Sequence, residues 1–226
     1  MKVLERVTTS DGVLSVVSRG NMLALRNGDT GYSCIYTDDE VFQPILIPVQ
    51  KLLDAYSLSH VITSALILGG GCCTIPRFMI KRFHNTIEID SVEYLSAIID
   101  LTRKHFLRGI ETDKLNLIHD DAFSFIRNIP HRYDFIFVDL FVGGIKSDES
   151  HTLSFLENLV AHTTEQSIIV FNGYHSSLEQ CQDLRQQGMS YFSKSFLMCD
   201  ESGTYYVVFV KGEFDERTVE QYLLPA

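Results

Sequence analysis

Ala65-Leu66-Ile67-Leu68-Gly69-Gly70-Gly71 is the stretch from which the fold reads outward. Four uninterrupted apolar residues fit a strand buried on both faces, as in the interior of a parallel sheet. The glycines end that strand, and a helical pattern follows to about Phe83. Downstream the same alternation repeats. Strands are predicted over 86–89, 115–118, 133–138 and 167–171, and helices over 92–106, 122–128, 151–162 and 177–187. Two last strands, 191–198 and 204–211, flank the hairpin-like turn Asp200-Glu201-Ser202-Gly203. Repeated β-then-α units closed by a hairpin make an open, mostly parallel α/β sheet with helices on both faces.

Upstream the pattern is different. Short strands over 13–17 and 22–26 surround Ser18-Arg19-Gly20-Asn21, a hairpin turn, and 31–37 offers a third strand. Residues 40–56 read as a helix, with Pro44 tolerated near its start and Pro48 kinking it. The chain therefore divides into residues 1–58, a small β-domain with a connecting helix, and residues 59–226, the sheet domain that binds the ligand.

The 226 residues carry 29 acidic and 19 basic side chains, for a formal charge of −10. Such a surface repels phosphate backbones, so nucleic acid is not an expected partner. No run is long and apolar enough for a membrane span. Met1-Lys2-Val3-Leu4-Glu5-Arg6 lacks the apolar segment of a signal peptide. The five cysteines, Cys34, Cys72, Cys73, Cys181 and Cys199, form no Cys-x-x-Cys pair, which fits reduced thiols in a cytoplasmic protein. The histidines show no ligand spacing, so no metal is expected. A Gly-x-Ser-x-Gly hydrolase elbow is also absent.

The candidate site residues lie where strands end, because ligands of open α/β sheets bind outside the carboxyl ends of the strands. Gly69, Gly70 and Gly71 let backbone pass close to a ligand. The continuation Cys72-Cys73-Thr74-Ile75-Pro76 departs from Gly-x-Gly-x-x-Gly and favours a nucleoside without phosphate over a dinucleotide. Glu88 is placed at the end of the second strand, where a carboxylate accepts both ribose hydroxyls; Asp90 either joins it or caps the next helix. After the third strand, Asp121 is placed on the exocyclic amine of adenine with Ala122 beside the ring, the alternative being a helix cap. Asp139, after the fourth strand, is placed to hold an amine or take its proton. Gly143-Gly144 reads as a loop able to close, and Asn172 and Tyr174 as acceptor-pocket or ordinary turn residues.

Taken in order, Gly-Gly-Gly, Glu-Ile-Asp, Asp-Asp-Ala-Phe and Tyr-Asp-Phe-Ile-Phe-Val-Asp resemble the spermidine synthase family of polyamine aminopropyltransferases. Asp38-Asp39-Glu40-Val41-Phe42-Gln43 is similar to that family's segment leading into the sheet domain. The resemblance implies a Rossmann-like class I methyltransferase fold, a seven-stranded mostly parallel sheet behind a small N-terminal β-domain. It also implies a cytoplasmic homodimer and transfer from S-adenosylmethionine or its decarboxylated form to a small amine or other nucleophile, without metal. Asp139 would match the catalytic aspartate. Four of the positions that differ from the family pattern bear on the donor and the acceptor. Cys72 stands where synthases carry the aspartate that opposes a donor carboxylate. Val142 and Gly143 replace the second Asp and the Pro of Asp-x-x-Asp-Pro, and Phe42 replaces a tyrosine. These differences leave two alternatives, a methyltransferase using S-adenosylmethionine itself and an inactive nucleoside-binding relative. A donor carboxylate would need backbone amides or a cation near the glycine turn, and Arg77, on the adjacent helix, is the candidate cation.

Overall fold

Two-residue turns organise the N-terminal third. Strands β1 (Lys2–Thr9), β2 (Gly12–Arg19), β3 (Met22–Asn27) and β4 (Thr30–Tyr36) form an antiparallel sheet in sequence order. Arg19 pairs with Met22 and Asn27 with Thr30. Gly20 (φ +60) and Gly28 (φ +56) supply the left-handed backbone that such tight hairpins require. Strand β1 was not foreseen, because its Lys-Val-Leu-Glu-Arg-Val run has no clean alternation and its residues stay largely exposed. The coordinates, a computed structural model, describe residues 1–38, 40–142 and 145–224. Asp39 and the expected Gly143-Gly144 loop lie outside the described residues.

Helix α1 (Ile47–Ser57) starts seven residues later than the pattern implied. Residues 41–46 are irregular, and Pro48 sits in the first helical turn rather than kinking an interior. A proline there removes an N–H that has no intrahelical partner anyway. Val49, Leu52, Leu53 and Tyr56 of α1 are buried with Phe78, Phe135 and Ile168 beneath the main sheet.

The rest of the chain runs β5 (Ser64–Leu68), α2 (Thr74–Arg82), β6 (Glu88–Glu93), α3 (Ser96–Leu101), β7 (Leu115–His119), α4 (Ala122–Asn128) and β8 (Tyr133–Val138). A short ribbon, β9 (Phe141–Val142) with β10 (Ile145–Lys146), leads to α5 (Leu153–Ala161). Then come β11 (Thr163–Asn172), α6 (Leu178–Gly188), β12 (Lys194–Cys199) and β13 (Tyr205–Lys211). The seven-stranded sheet has the order β12-β13-β11-β8-β5-β6-β7. Only β13 runs antiparallel to its neighbours. Strand β8 is buried along its whole length: Phe135 to Val138 are continuously apolar, and the buried Asp134 carboxylate accepts from Thr63 and Thr164.

The chain moves outward from β5 through β6 to β7, then returns to the other side of β5 with β8. The carboxyl ends of β5 and β8 thus flank the topological switch point, where the fold leaves a crevice. The glycines after β5 serve packing here. A Cβ on Gly69, whose φ is +88, would stand 2.1 Å from the Asp139 carbonyl oxygen. One on Gly70 would stand 2.2 Å from Ser91 Oγ.

Candidate active site

The carboxyl ends of β5 to β8 and β11 open on a cavity of about 1070 Å³. The N-terminal sheet closes its other side with Met22, Ala24, Tyr32, Ser33 and Cys34, so the cavity lies between the two sheets. Gly69, Gly70 and Gly71 form one rim. Their amides are already committed. Gly69 and Gly70 donate to Val92 O at 2.9 and 3.1 Å, Gly71 to Glu93 Oε2 at 3.1 Å, Cys72 to Ser33 Oγ at 3.2 Å and Cys73 to Gly70 O at 2.8 Å.

Glu88 does not stand at a strand mouth. Strand β6 runs from Glu88 to Glu93, not over 86–89, so Glu88 stands at its amino end. There it is exposed and ion-paired with Lys114 at 3.0 Å, away from the cavity. Asp90 lies mid-strand and neither caps a helix nor reaches the cavity. Its carboxylate accepts from Asn116 Nδ2 at 2.9 Å and from the Tyr133 hydroxyl at 2.7 Å. The carboxylate at the strand's mouth is Glu93. It accepts from the Gly71 amide and, at 3.1 Å, from Leu95 N, which fixes its orientation and leaves lone pairs toward the cavity. Burial pushes its pKa up, against the lowering effect of those amides.

Asp121 takes the cap of the two roles between which the sequence left a choice, and its place in the cavity wall leaves the other open to it. It caps α4, accepting from Ser124 N at 2.8 Å, and it lines the cavity with Ala122 and Asp120. Asp139 lies across from them, its amide donating to Leu68 O at 2.8 Å. Burial pushes its carboxyl up to about 7; the Asn172 amide, 2.7 Å away, acts against this, and the Glu93 charge adds to it. Asn172 and Tyr174 both line the cavity.

Other expected contributors point elsewhere. Arg77 is buried and donates to the Phe106 carbonyl, outside the cavity lining. Burial holds the Cys72 and Cys73 thiols well above their usual range, Cys73 at about 12, so neither is a ready nucleophile. Phe42 packs on Phe78 with their ring centres 5.2 Å apart, and the Lys51 ammonium covers its ring at 3.5 Å. Glu93 was missed because Asp90 and Ser91 interrupt the apolar pattern; Val92, in phase for one more strand residue, was the available signal. The hairpin residues Asp200 and Glu201 also line the cavity, and their sequence read only as a turn. In all, Glu93, Asp120, Asp121, Asp139, Asp200 and Glu201 put six carboxylates on this cavity. Among the described residues lining it there is no lysine or arginine.

The domain model for spermine/spermidine synthases matches residues 54–212. The chain belongs to the spermine/spermidine synthase family. A polyamine aminopropyltransferase of Streptococcus uberis is 27% identical over 130 residues, 56% of this chain and 42% of that protein. One from Alkaliphilus metalliredigens is 30% identical over 117 residues, 48% of this chain and 39% of its own length. These matches thus span only about two fifths of the curated relatives. Among solved structures, a probable spermidine synthase from Corynebacterium glutamicum superposes with a TM-score of 0.78 at 18% identity, over 95% of this chain and 81% of that one. A spermidine synthase in complex with the transition-state analogue AdoDATO gives 0.71 at 14% identity, over 97% and 79%. Human methyltransferase-like protein 13 in complex with SAH gives 0.62 at 17%, over 80% and 91%. The fold of this synthase-family chain is the Rossmann-like methyltransferase fold with a separate N-terminal antiparallel sheet.

Proposed function

We propose that this synthase-family chain transfers an aminopropyl group from decarboxylated S-adenosylmethionine to an amine. The observation that carries this reading is the charge inventory of the cavity. S-adenosylmethionine brings a carboxylate, which needs free amides or a cation. Every amide from Gly69 to Cys73 is spent inside the protein, and Arg77 faces the Phe106 carbonyl. Six carboxylates on the wall oppose an anionic group and favour cations. The decarboxylated donor carries a sulfonium and an ammonium and no carboxylate, and an amine acceptor adds further positive charge.

On this reading Glu93 holds the ribose hydroxyls, and Asp121 with Ala122 receives the adenine edge. The acceptor nitrogen attacks the propyl carbon bound to sulfur. A C–N bond forms as the C–S bond breaks, and neutral methylthioadenosine leaves. The acceptor must first shed a proton, because an ammonium has no lone pair. Asp139, with a midpoint of about 7, is matched to receive it. Asp200 and Glu201 offer anchorage to a second cationic centre. Cysteines without a disulfide partner fit a reducing compartment, which supports a cytoplasmic location.

The test is calorimetric titration with three ligands, followed by assay of methylthioadenosine release with a panel of mono- and diamines. Decarboxylated S-adenosylmethionine is expected to bind at least about tenfold more tightly than S-adenosylmethionine, the scale of one unpaired buried charge or more. The reverse order would make the chain a methyltransferase. No binding of either donor or of methylthioadenosine would leave it an inactive relative.

A further inference from the structure

The turn after β11 is built to aim one side chain. A Cβ on Gly173 would lie 2.8 Å from Tyr205 O and 2.9 Å from Cys181 Sγ, so only glycine lets the chain turn this close to β13. Gly173 N donates to Tyr205 O, and Ser176 N to Gly173 O, both at 2.8 Å. His175 takes a left-handed φ of +63, and Ser177 with Gln180 closes a capping box that anchors α6. Held in this way, Tyr174 N donates to Asn172 Oδ1 at 2.9 Å. An asparagine that accepts through Oδ1 has only its NH₂ to offer on the other side. That group donates to Asp139 Oδ1 at 2.7 Å. The reversed amide would set N–H against N–H and oxygen against carboxylate, so the backbone of the turn fixes the orientation.

We propose that Asn172 is the positioning residue for Asp139: the Tyr174 backbone locks its amide so that it orients the Asp139 carboxylate and keeps it available as a proton acceptor. The consequence for catalysis rests on the aminopropyl-transfer reading; the hydrogen-bond geometry does not. The surroundings make such a donor necessary. Glu93 faces Asp139 from the end of β6 with like charge. The Tyr206 phenol faces it from β13 and is tied to Asp200 Oδ2 at 3.0 Å. Asp120 and Asp121 from the β7 end, Asp200 and Glu201 from the hairpin, and His175 from the turn share the cavity wall. Three elements besides its own thus contribute carboxylates, and the Asn172 amide works against the protonation that burial and the Glu93 charge favour. Asn172 is itself buried and pairs in register with Tyr206, so it holds one place in the sheet.

The experiment is carboxyl ¹³C NMR of the full chain labelled at aspartate, with the Asp139 signal assigned from Asp139→Asn. In Asn172→Ala the Asp139 midpoint is expected to rise by about one pH unit, and in the isosteric Asn172→Asp by at least that, since a donor becomes a like charge. The latter still accepts from Tyr174 N, so its shape is kept. Wild-type protein supplies a check independent of any variant's folding: the Asn172 side-chain amide protons must titrate with the same midpoint as the Asp139 carboxyl. An unmoved Asp139 midpoint in folded variants, or amide protons that ignore Asp139, overturns the proposal. Where a donor and an amine turn over, the acidic limb of kcat moves up with the carboxyl while donor affinity stays constant. If no pair turns over and the NMR shifts are nonetheless seen, the positioning role stands and the transferase reading fails.

Discussion

At the scale of the residue, Asp139 shows how a site can be held at the expense of stability. Its carboxyl is pushed from 3.8 to about 7, chiefly by burial and further by the Glu93 charge. An acid whose pKa is raised on folding binds more protons folded than unfolded between those two values. Its favourable contribution is complete below about pH 4 and is lost as pH rises through about 7. The proposed transfer has the opposite slope, since its proton acceptor must be ionised. Asp139→Asn keeps the shape and can still accept from Asn172. It is expected to lower single-turnover rates on the order of 10²-fold or more while leaving affinity for methylthioadenosine little changed. Thermal unfolding should show the reverse effect, with the variant more stable than wild type at pH 8 and the gap closing near pH 4. A chain of this size gains roughly 2–4 °C in Tm for each kcal/mol. If methylthioadenosine binding collapses, Asp139 is a donor ligand; a variant less stable than wild type at pH 8 would contradict the burial argument.

Among the elements, β6 separates what the sequence revealed from what it concealed. The continuous runs 65–68 and 135–138 were legible because a strand buried on both faces needs apolar residues throughout. The order of units, the hairpin at Asp200-Glu201 and the placement of Gly69, Asp121 and Asp139 at strand mouths followed from them. Strand β6 carries Glu88, Asp90 and Ser91, and those two carboxylates are satisfied by distant partners, Lys114 for Glu88 and Asn116 with Tyr133 for Asp90. No local pattern reports such partners, so the sequence pattern ends the strand at residue 89 and puts Glu88 at its mouth. The helix at 40–56 failed for a similar reason. Its apolar spacing was real, but Gln43 is buried in an irregular segment, its amide donating to Gln50 Oε1 at 2.8 Å. The register of β6 is testable. Glu93→Gln is expected to weaken methylthioadenosine binding about 10- to 100-fold, as for loss of a charge-assisted bidentate contact. Glu88→Ala should bind like wild type by calorimetry. Equal losses, or a loss at Glu88 alone, would return the ribose to the other end of the strand.

For the whole molecule, composition alone lets the formal charge of −10 say only that phosphate backbones are repelled. Folding concentrates part of it, because residues 93, 120, 121, 139, 200 and 201 come to one cavity from the ends of separate strands and a hairpin. Their convergence is a property of the sheet order, with β5 between β6 and β8, and not of spacing along the chain. A cavity with carboxylates on several walls gathers field lines and draws in cations, an effect that salt weakens. The screening length falls from about 30 Å at 0.01 M salt to about 10 Å at 0.1 M and about 3 Å at 1 M. Charges on opposite walls therefore act together on an approaching ligand at low salt and separately at high salt. Methylthioadenosine occupies the same nucleoside positions but carries no net charge. Raising potassium chloride from about 0.02 to 0.5 M is expected to slow association of the decarboxylated donor by about tenfold, within the range salt-sensitive steering spans. Methylthioadenosine should associate at the same rate throughout. Stopped-flow fluorescence or surface-plasmon measurements of both ligands across that series provide the comparison. A donor rate that ignores salt, or a methylthioadenosine rate that falls in parallel, would mean that the carboxylates do not select the ligand by charge, and the case for a decarboxylated donor would then rest on the occupied amides of the glycine turn alone.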